Sequence, residues 1–482
     1  MKLEFLLIFT LYIIIGSFLA LLSRMFFTKD LRDYYTSSGR LGAVLSAGTY
    51  AATTYSAFMM VGLVGMAYAT GVGALGFELL YLAATIFLLS TIGYRIWRLA
   101  RDRMWIAPSQ MIGDLYGSRA LGLAVAMIYL FAMIPYLAAQ IQGLRAVFSY
   151  GGFEEIEAII IAAILVYAWI VVAGMWSVAL TDTYQGFLML TSGLLYIIWI
   201  LGYLVPANGI SYGELYDILS ESGSLGLTGF WSFSVFLAFT IPWAFFAITN
   251  PQVVIRLYVP RDEIAYKRGV AYFYIFGFLY TVVVVVVGLV ASGLAIKGVI
   301  PKGLPWDAVT PHLLGYMHPL LGSLIAVSII AAAVSTANSI VLAVSGSIIT
   351  LSRTRSLLIA RVIDAMLVTL ATLVASLKIG FIVELSVLTS VILIPLAPIT
   401  ILGVYKGGMS SSILRTSALI SLIAGVGLAT FYALELGPRR AFRETILELP
   451  LSAWVLIIST TILLLGYTIE IIRARSTRNS NI

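Results

Sequence analysis

Apolar stretches of 18 or more residues recur along this chain from Leu6 to Ile472, and they limit its fold more sharply than any other feature. A helix of that length crosses the hydrocarbon layer, and helices and closed barrels alone satisfy their own backbone there. Of 482 residues, 61% are hydrophobic and only 11% charged, where soluble domains carry about a quarter. The pattern predicts an all-α membrane protein of about 13 transmembrane helices. The segments lie near 4–25, 41–70, 75–97, 120–148, 157–175, 177–205, 230–255, 269–296, 320–350, 362–377, 380–405, 412–434 and 449–472. The longest polar loops run to roughly 15–25 residues, so a single domain (1–482) is expected. The chain has no cysteine, which removes disulfides, thiol catalysis and Cys-based metal sites.

The net charge of +7 could suggest a nucleic-acid partner, but its placement argues against one. With the N-terminus outside and the C-terminus inside, the inner loops hold Arg24, Lys29, Arg32, Arg40, Arg95, Arg98, Arg101, Arg103 and Arg119. They continue with Arg256, Arg261, Lys267, Arg268, Arg353, Arg355, Arg361, Lys406 and Arg415, and the tail adds Arg473, Arg475 and Arg478. That places 21 of the 29 Lys and Arg residues inside, the bias of a multi-pass protein of the cell membrane. The basic excess therefore sets topology, with the bilayer as partner and no obligate protein partner evident. An outer cluster of Arg439, Arg440 and Arg443 runs against the trend.

Two segments are irregular. The second, "LSAGTYAATTYSAFMMVGLVGMAYATGVGALG", has Thr53, Thr54 and Ser56 at its middle and glycines at 48, 62, 65, 71 and 73. The seventh, "WSFSVFLAFTIPWAFFAITNPQVVIR", carries Pro242 and Pro251 around Thr249 and Asn250. A buried proline frees a carbonyl, and free carbonyls at membrane depth are tolerated where they line a cavity or are covered by protein. Two breaks five segments apart fit a five-plus-five inverted repeat, with transported solute and ions at the breaks. Repeat 1 would be 41–205 and repeat 2 230–405, with 1–40 and 406–482 peripheral. Kinked helices packed on small residues explain each break singly.

In the ninth segment, "AAAVSTANSIVLAVSGS", Ala332, Ser335, Thr336, Ser339 and Ala343 share one helical face. Its hydroxyls could bond back to their own helix. Alternatively Ser335, Thr336 and the Ala332 carbonyl offer hard, uncharged oxygens, which suit a small monovalent cation better than a divalent one. Ionisable groups inside the segments are Glu78, Asp182, Asp364 and Glu384, functional by default at such depth. Asp182 could support a cation site or carry a proton; Glu78 could face a solute path. Asp364 reads as snorkelling or paired with Arg361, and Glu384 has no assigned part. No nucleotide loop or HExxH motif is present, so an enzyme is not expected.

Four stretches resemble the sodium/solute symporter family, which includes proline, pantothenate, monocarboxylate and sugar carriers. They are "YYTSSGRLGAVLSAGTYAATTYSAFMMVGLVGMAYATG", "AGMWSVALTDTYQGFLM", "NPQVVIRLYVPRDEIAYKRG" and "AAAVSTANSIVLAVSGSIIT", and the likeness covers roughly 33–405. The resemblance implies a leucine-transporter-type fold with a co-transported sodium ion between segments 2 and 9. Matched residue by residue, its ligands would be the carbonyls of Ala52, Tyr55 and Ala332 and the hydroxyls of Ser335 and Thr336, supported by Asp182. Thr54 stands where some relatives carry Asp or Asn. Candidates to line the solute are Thr53, Ser56, Ala57 and Phe58 in segment 2, Glu78 in segment 3 and Gln140 in segment 4. Trp243, Phe246 and Asn250 in segment 7 would form the opposite wall. Met59, where sugar carriers have an amide, argues against a sugar, and 116–144 most resembles monocarboxylate carriers.

The expected function is sodium-coupled import of a small organic solute: a monocarboxylate, an amino acid or a pantothenate-like carboxylate. Two alternatives are a proton-coupled carrier using Asp182 and a solute sensor that keeps the fold without transport.

Overall fold

The computed structural model describes residues 2–27, 30–351, 356–377, 382–406 and 410–479. Lys29, Arg353, Arg355 and the side chains of Arg475 and Arg478 lie outside the described residues. Among the described residues ten helices are singly long and apolar enough to cross a membrane: Leu3–Met25, Gly73–Arg103, Arg119–Gly151, Ile156–Ala173, Met175–Ala207, Glu263–Ile296, Pro319–Ile349, Leu357–Ser376, Ser412–Leu436 and Leu451–Ala474. Three further pairs pass the same test only together. They are Ala43–Thr54 with Phe58–Thr70, Phe233–Thr249 with Pro251–Tyr258, and Val383–Leu393 with Leu396–Lys406, bent by 50°, 42° and 44°. Bent pairs and single helices together coincide in order with the segments read from the sequence, and the segment numbers are kept below.

The first two bends fall where the sequence placed them. The third, at Ile394–Pro395, was not anticipated. There Pro395 lacks the N–H that a continuous helix needs. Segment 1 shows how a helix apolar on every side is sorted: Leu7, Leu11, Ile14 and Phe18 are exposed, while Phe5, Phe9, Tyr12, Gly16 and Ala20 are buried. The exposed stripe suits lipid and the buried one suits protein. Its tyrosine is tied inward, for Gln185 Nε2 of segment 6 donates to Tyr12 Oη at 2.7 Å.

Segment 9 is the axis of the molecule. Every residue from Ile325 to Ser347 is buried, so protein surrounds its polar face. Ser345 and Ser347 bond back to Leu342 O and Ala343 O, the local behaviour expected of helical serines. Asn338, oriented with its amide nitrogen toward carbonyls, donates to Val166 O of segment 5 at 2.9 Å and to Val334 O at 3.2 Å. It therefore acts as an interhelical tie. Segments 2 and 6 meet closely at Gly48, where a Cβ would lie 2.3 Å from Thr183 Oγ1.

Two expectations are corrected. Asp364 does not snorkel: it is fully buried and accepts from Tyr34 Oη at 2.6 Å, a contact between segment 10 and the short helix Leu31–Thr36, while its other expected partner, Arg361, does interact with it electrostatically. Arg256 is not a loop residue facing the inner solution, for it is only 2% exposed.

Candidate functional site

Segment 2 breaks because Tyr55 leaves helical geometry (φ −94°, ψ 87°). The last helical bond runs from Tyr55 N–H to Ala51 O at 2.8 Å. The next carbonyl, Ala52 O, accepts instead from Ser335 Oγ across the segment 2–9 interface at 2.8 Å. Ser335 Oγ also lies 3.0 Å from Ala332 O. Thr336 Oγ1 reaches Thr53 O at 3.3 Å and Ala52 O at 3.4 Å. Of the five expected ion ligands, Ala52, Ala332, Ser335 and Thr336 thus converge, and Tyr55 is the residue at which the helix opens. All five are buried. The donor set is carbonyl and hydroxyl oxygen, the chemistry that hard monovalent cations prefer.

Directly beside this cluster lies a buried network that the sequence reading did not anticipate. Ser339 Oγ is 2.7 Å from Thr53 Oγ1 and donates to Ser335 O at 2.8 Å. Arg256 Nη2 donates to Ser339 Oγ at 2.5 Å, and Arg256 Nη1 to Gln252 O at 3.0 Å. Arg256 Nε donates to Thr49 Oγ1 at 3.3 Å, and Thr49 donates to Asp182 Oδ2 at 2.7 Å. Asp182 and Arg256 form an ion pair at 3.8 Å with both side chains fully buried. A buried charge requires such a partner. Asp182 therefore reaches the ion cluster through Thr49, Arg256 and Ser339, joining segments 2, 6, 7 and 9. The cue in the sequence was an arginine directly after a proline-broken apolar segment, which positive-inside counting assigned to a loop.

On the other side of the break, residues Phe58–Leu63 form a π-helical turn, a geometry frequent at functional positions. Ser56 Oγ accepts from Phe58 N–H at 3.1 Å. Trp243 packs against Phe58, Tyr81 and Phe246 with ring centroids 5.6, 5.6 and 5.1 Å apart. Trp243 Nε1 and both amide atoms of Gln140 are buried with no hydrogen-bond partner among the described residues. Tyr136 lies beside Ser56 and Ser386. Asn250 precedes the short helix Pro251–Val254, its Oδ1 accepts from Thr249 Oγ1 at 2.9 Å and its Nδ2 faces Ser390 Oγ at 3.5 Å. Ala57 is fully buried. Glu78, 3% exposed, neighbours Tyr55 and Tyr81. Phe58, Trp243, Phe246 and Tyr81 thus form an aromatic cluster beside the break, while the Thr53 hydroxyl is directed to Ser339 on the ion side.

The break in segment 2 and the buried segment 9 thus enclose a cluster of carbonyl and hydroxyl oxygens within a bundle of membrane-length helices. Residues 34–425 match the model of the sodium:solute symporter family, and the chain belongs to that family. Among characterised relatives, the sodium/pantothenate symporter of Haemophilus influenzae is 24% identical over 290 residues, 59% of this chain and 58% of the relative. That of Escherichia coli is 25% identical over 56% of this chain and 55% of its own length. The chain thus matches little more than half the length of these relatives. Among solved structures, a Na+-coupled sialic acid symporter in a substrate-bound outward-open state superposes with a TM-score of 0.80 at 17% identity, covering 97% of each chain. A nucleobase-cation-symport-1 family transporter gives 0.57 at 13% identity over 90% of this chain and 94% of its own. At these identities the likeness is one of fold.

Proposed function

We propose that this protein is a sodium-coupled symporter that imports a small organic solute by alternating access. The observation that carries the reading is the convergence of Ser335 and Thr336 hydroxyls on the Ala52 and Thr53 carbonyls at a helix break. A sodium ion held there by Ala52, Tyr55, Ala332, Ser335 and Thr336 joins segments 2 and 9. Ion binding favours the conformations that hold these two segments together, and solute binding at the same break is thereby coupled to it. Each charge moved inward gains about 2.3 kcal/mol per 100 mV of membrane potential.

In this reading thirteen segments cross the membrane with the N-terminus outside, and 41–205 and 230–405 are inverted repeats. Ser56, Ala57, Phe58, Glu78, Gln140, Trp243, Phe246 and Asn250 line the solute, and Thr53 links it to the ion. Asp182 acts as a structural support rather than a proton carrier, because it is engaged by Thr49 and Arg256. The solute is a monocarboxylate, an amino acid or a pantothenate-like carboxylate. The relatives include sodium/pantothenate symporters and a monocarboxylate transport permease of Rhizobium johnstonii that is 29% identical over 26% of this chain, which supports a carboxylate.

The test is uptake into proteoliposomes of labelled monocarboxylates, amino acids and pantothenate under sodium or proton gradients. Sodium-dependent uptake of at least one compound is expected. Uptake driven only by a pH gradient, and abolished in Asp182→Asn, would overturn sodium coupling in favour of a proton.

A further inference from the structure

Segments 2, 6 and 8 leave a recess of about 250 Å3 between them, on the side read as inner. Its floor is made of small residues, Gly48 and Ala51 of segment 2 and Gly186 of segment 6. Its rim is apolar and exposed, with Val44, Phe187 and Ile275, and so runs on into the surface that faces lipid. Among the described residues no charged side chain lines it. The hydroxyl of Thr183 in its wall donates to Ala179 O at 2.7 Å and is thereby satisfied. A polar solute finds no partner in such a recess. Hydrocarbon fills it by dispersion contact, without stripping water from a polar group. A helix about 10 Å across is too wide to enter, whereas a single acyl chain is not.

Arg268 indicates what the chain is attached to. It stands at i relative to Tyr272, Ile275 and Phe276 at i+4, i+7 and i+8, so it shares their helical face, which lines the recess. Four residues before Tyr272, it lies about 6 Å further toward the inner side. Its side chain is exposed and makes no ion pair or hydrogen bond with another described residue. The acids that precede it are engaged elsewhere, Asp262 by Arg261 at 3.1 Å and Glu263 by Lys267 at 2.6 Å. A guanidinium at the level of the headgroups takes a phosphate through two parallel N–H donors. We propose that this recess binds an anionic phospholipid of the inner leaflet, one acyl chain lying on Gly48 and Gly186 and the phosphate on Arg268. The proposal needs the chain to lie in a membrane but not to move sodium, so it and the symporter reading fail separately.

The test is native mass spectrometry of the full chain released from detergent micelles, with dioleoylphosphatidylglycerol or dioleoylphosphatidylcholine added. The two lipids share their chains and differ in net charge. The first phosphatidylglycerol adduct is expected at about five-fold lower lipid concentration than the first phosphatidylcholine adduct, because a charge-assisted pair with Arg268 is gained. Arg268→Gln is expected to remove that preference and Arg268→Lys to keep part of it. Arg119→Gln, at an exposed arginine that lines a separate inner cavity, is the control and is expected to leave it unchanged. Gly186→Leu fills the recess: a Cβ there lies 3.9 Å from Phe276 Cε2 and 4.0 Å from Gly48 O, so a longer side chain extends into the open space. It is expected to weaken both lipids about three-fold by replacing chain contacts, and Val44→Trp to do the same from the exposed rim. Equal affinity for the two lipids in the wild-type chain, an intact preference in Arg268→Gln, an equal loss in Arg119→Gln, or unchanged binding in both filled variants would overturn the proposal. A dimer that forms in place of the lipid adduct and is lost in the filled variants would overturn it in favour of a second copy of this chain.

Discussion

At the scale of single residues, the fully buried Asp182–Arg256 pair makes the sharpest stability prediction. Removing one partner leaves an uncompensated charge, an effect of about 3–5 kcal/mol. Arg256→Gln should therefore lower the unfolding temperature in detergent markedly, and adding Asp182→Asn should restore at least half of the loss. Equal or additive losses in the double variant would mean the two side chains are not coupled. Ser335 and Thr336 were legible from the sequence because hydroxyls at i and i+1 in an uncharged apolar helix are conspicuous. Their partners at Ala52 and Thr53 are backbone atoms and carry no mark in composition; the family resemblance supplied Ala52. Arg256 was misread because an arginine at the end of an apolar segment looks the same whether it faces water or a buried carboxylate. Only the position of Thr49 and Asp182 on neighbouring helices separates the two cases.

Whole elements are governed by where helices stop. The breaks in segments 2 and 7 were legible from Thr-Thr-Tyr-Ser and from Asn-Pro, residues that compete with or interrupt helical bonding. The break at Ile394–Pro395 was not, because its flanks are uniformly apolar. The Gly62 and Gly65 pair was legible as a motif but not as a contact. Its purpose is to admit Trp306 and Val383, which would meet a Cβ at 1.8 Å and 2.7 Å. Gly65→Ala should therefore lift the 303–307 loop from segment 2. In a chain without native cysteine, the added variant Val61→Cys reports this directly. Labelling by a membrane-impermeant maleimide should be several-fold faster with Gly65→Ala than without it, and an unchanged rate would contradict the packing argument.

For the whole molecule, membrane class was legible from hydropathy alone, since length and apolarity suffice to mark each crossing. The packing order was not, because tertiary neighbours such as segments 2, 6, 7 and 9 meet through residues far apart in the chain. The proposed orientation rests on the excess of Lys and Arg in the loops read as inner. Leu304→Cys should accordingly label from outside intact cells, and Leu351→Cys only after the membrane is opened; the reverse pattern would invert the topology. The proposed sodium coupling requires the oxygens of segments 2 and 9 to act as one sodium site. The most direct test is the sodium concentration giving half-maximal solute uptake, compared between wild type and Ser335→Ala/Thr336→Ala in proteoliposomes. Loss of two oxygen ligands, at about 1 kcal/mol each, predicts a rise on the order of ten-fold or more. An unchanged sodium requirement at full uptake would contradict the site and the coupling built on it.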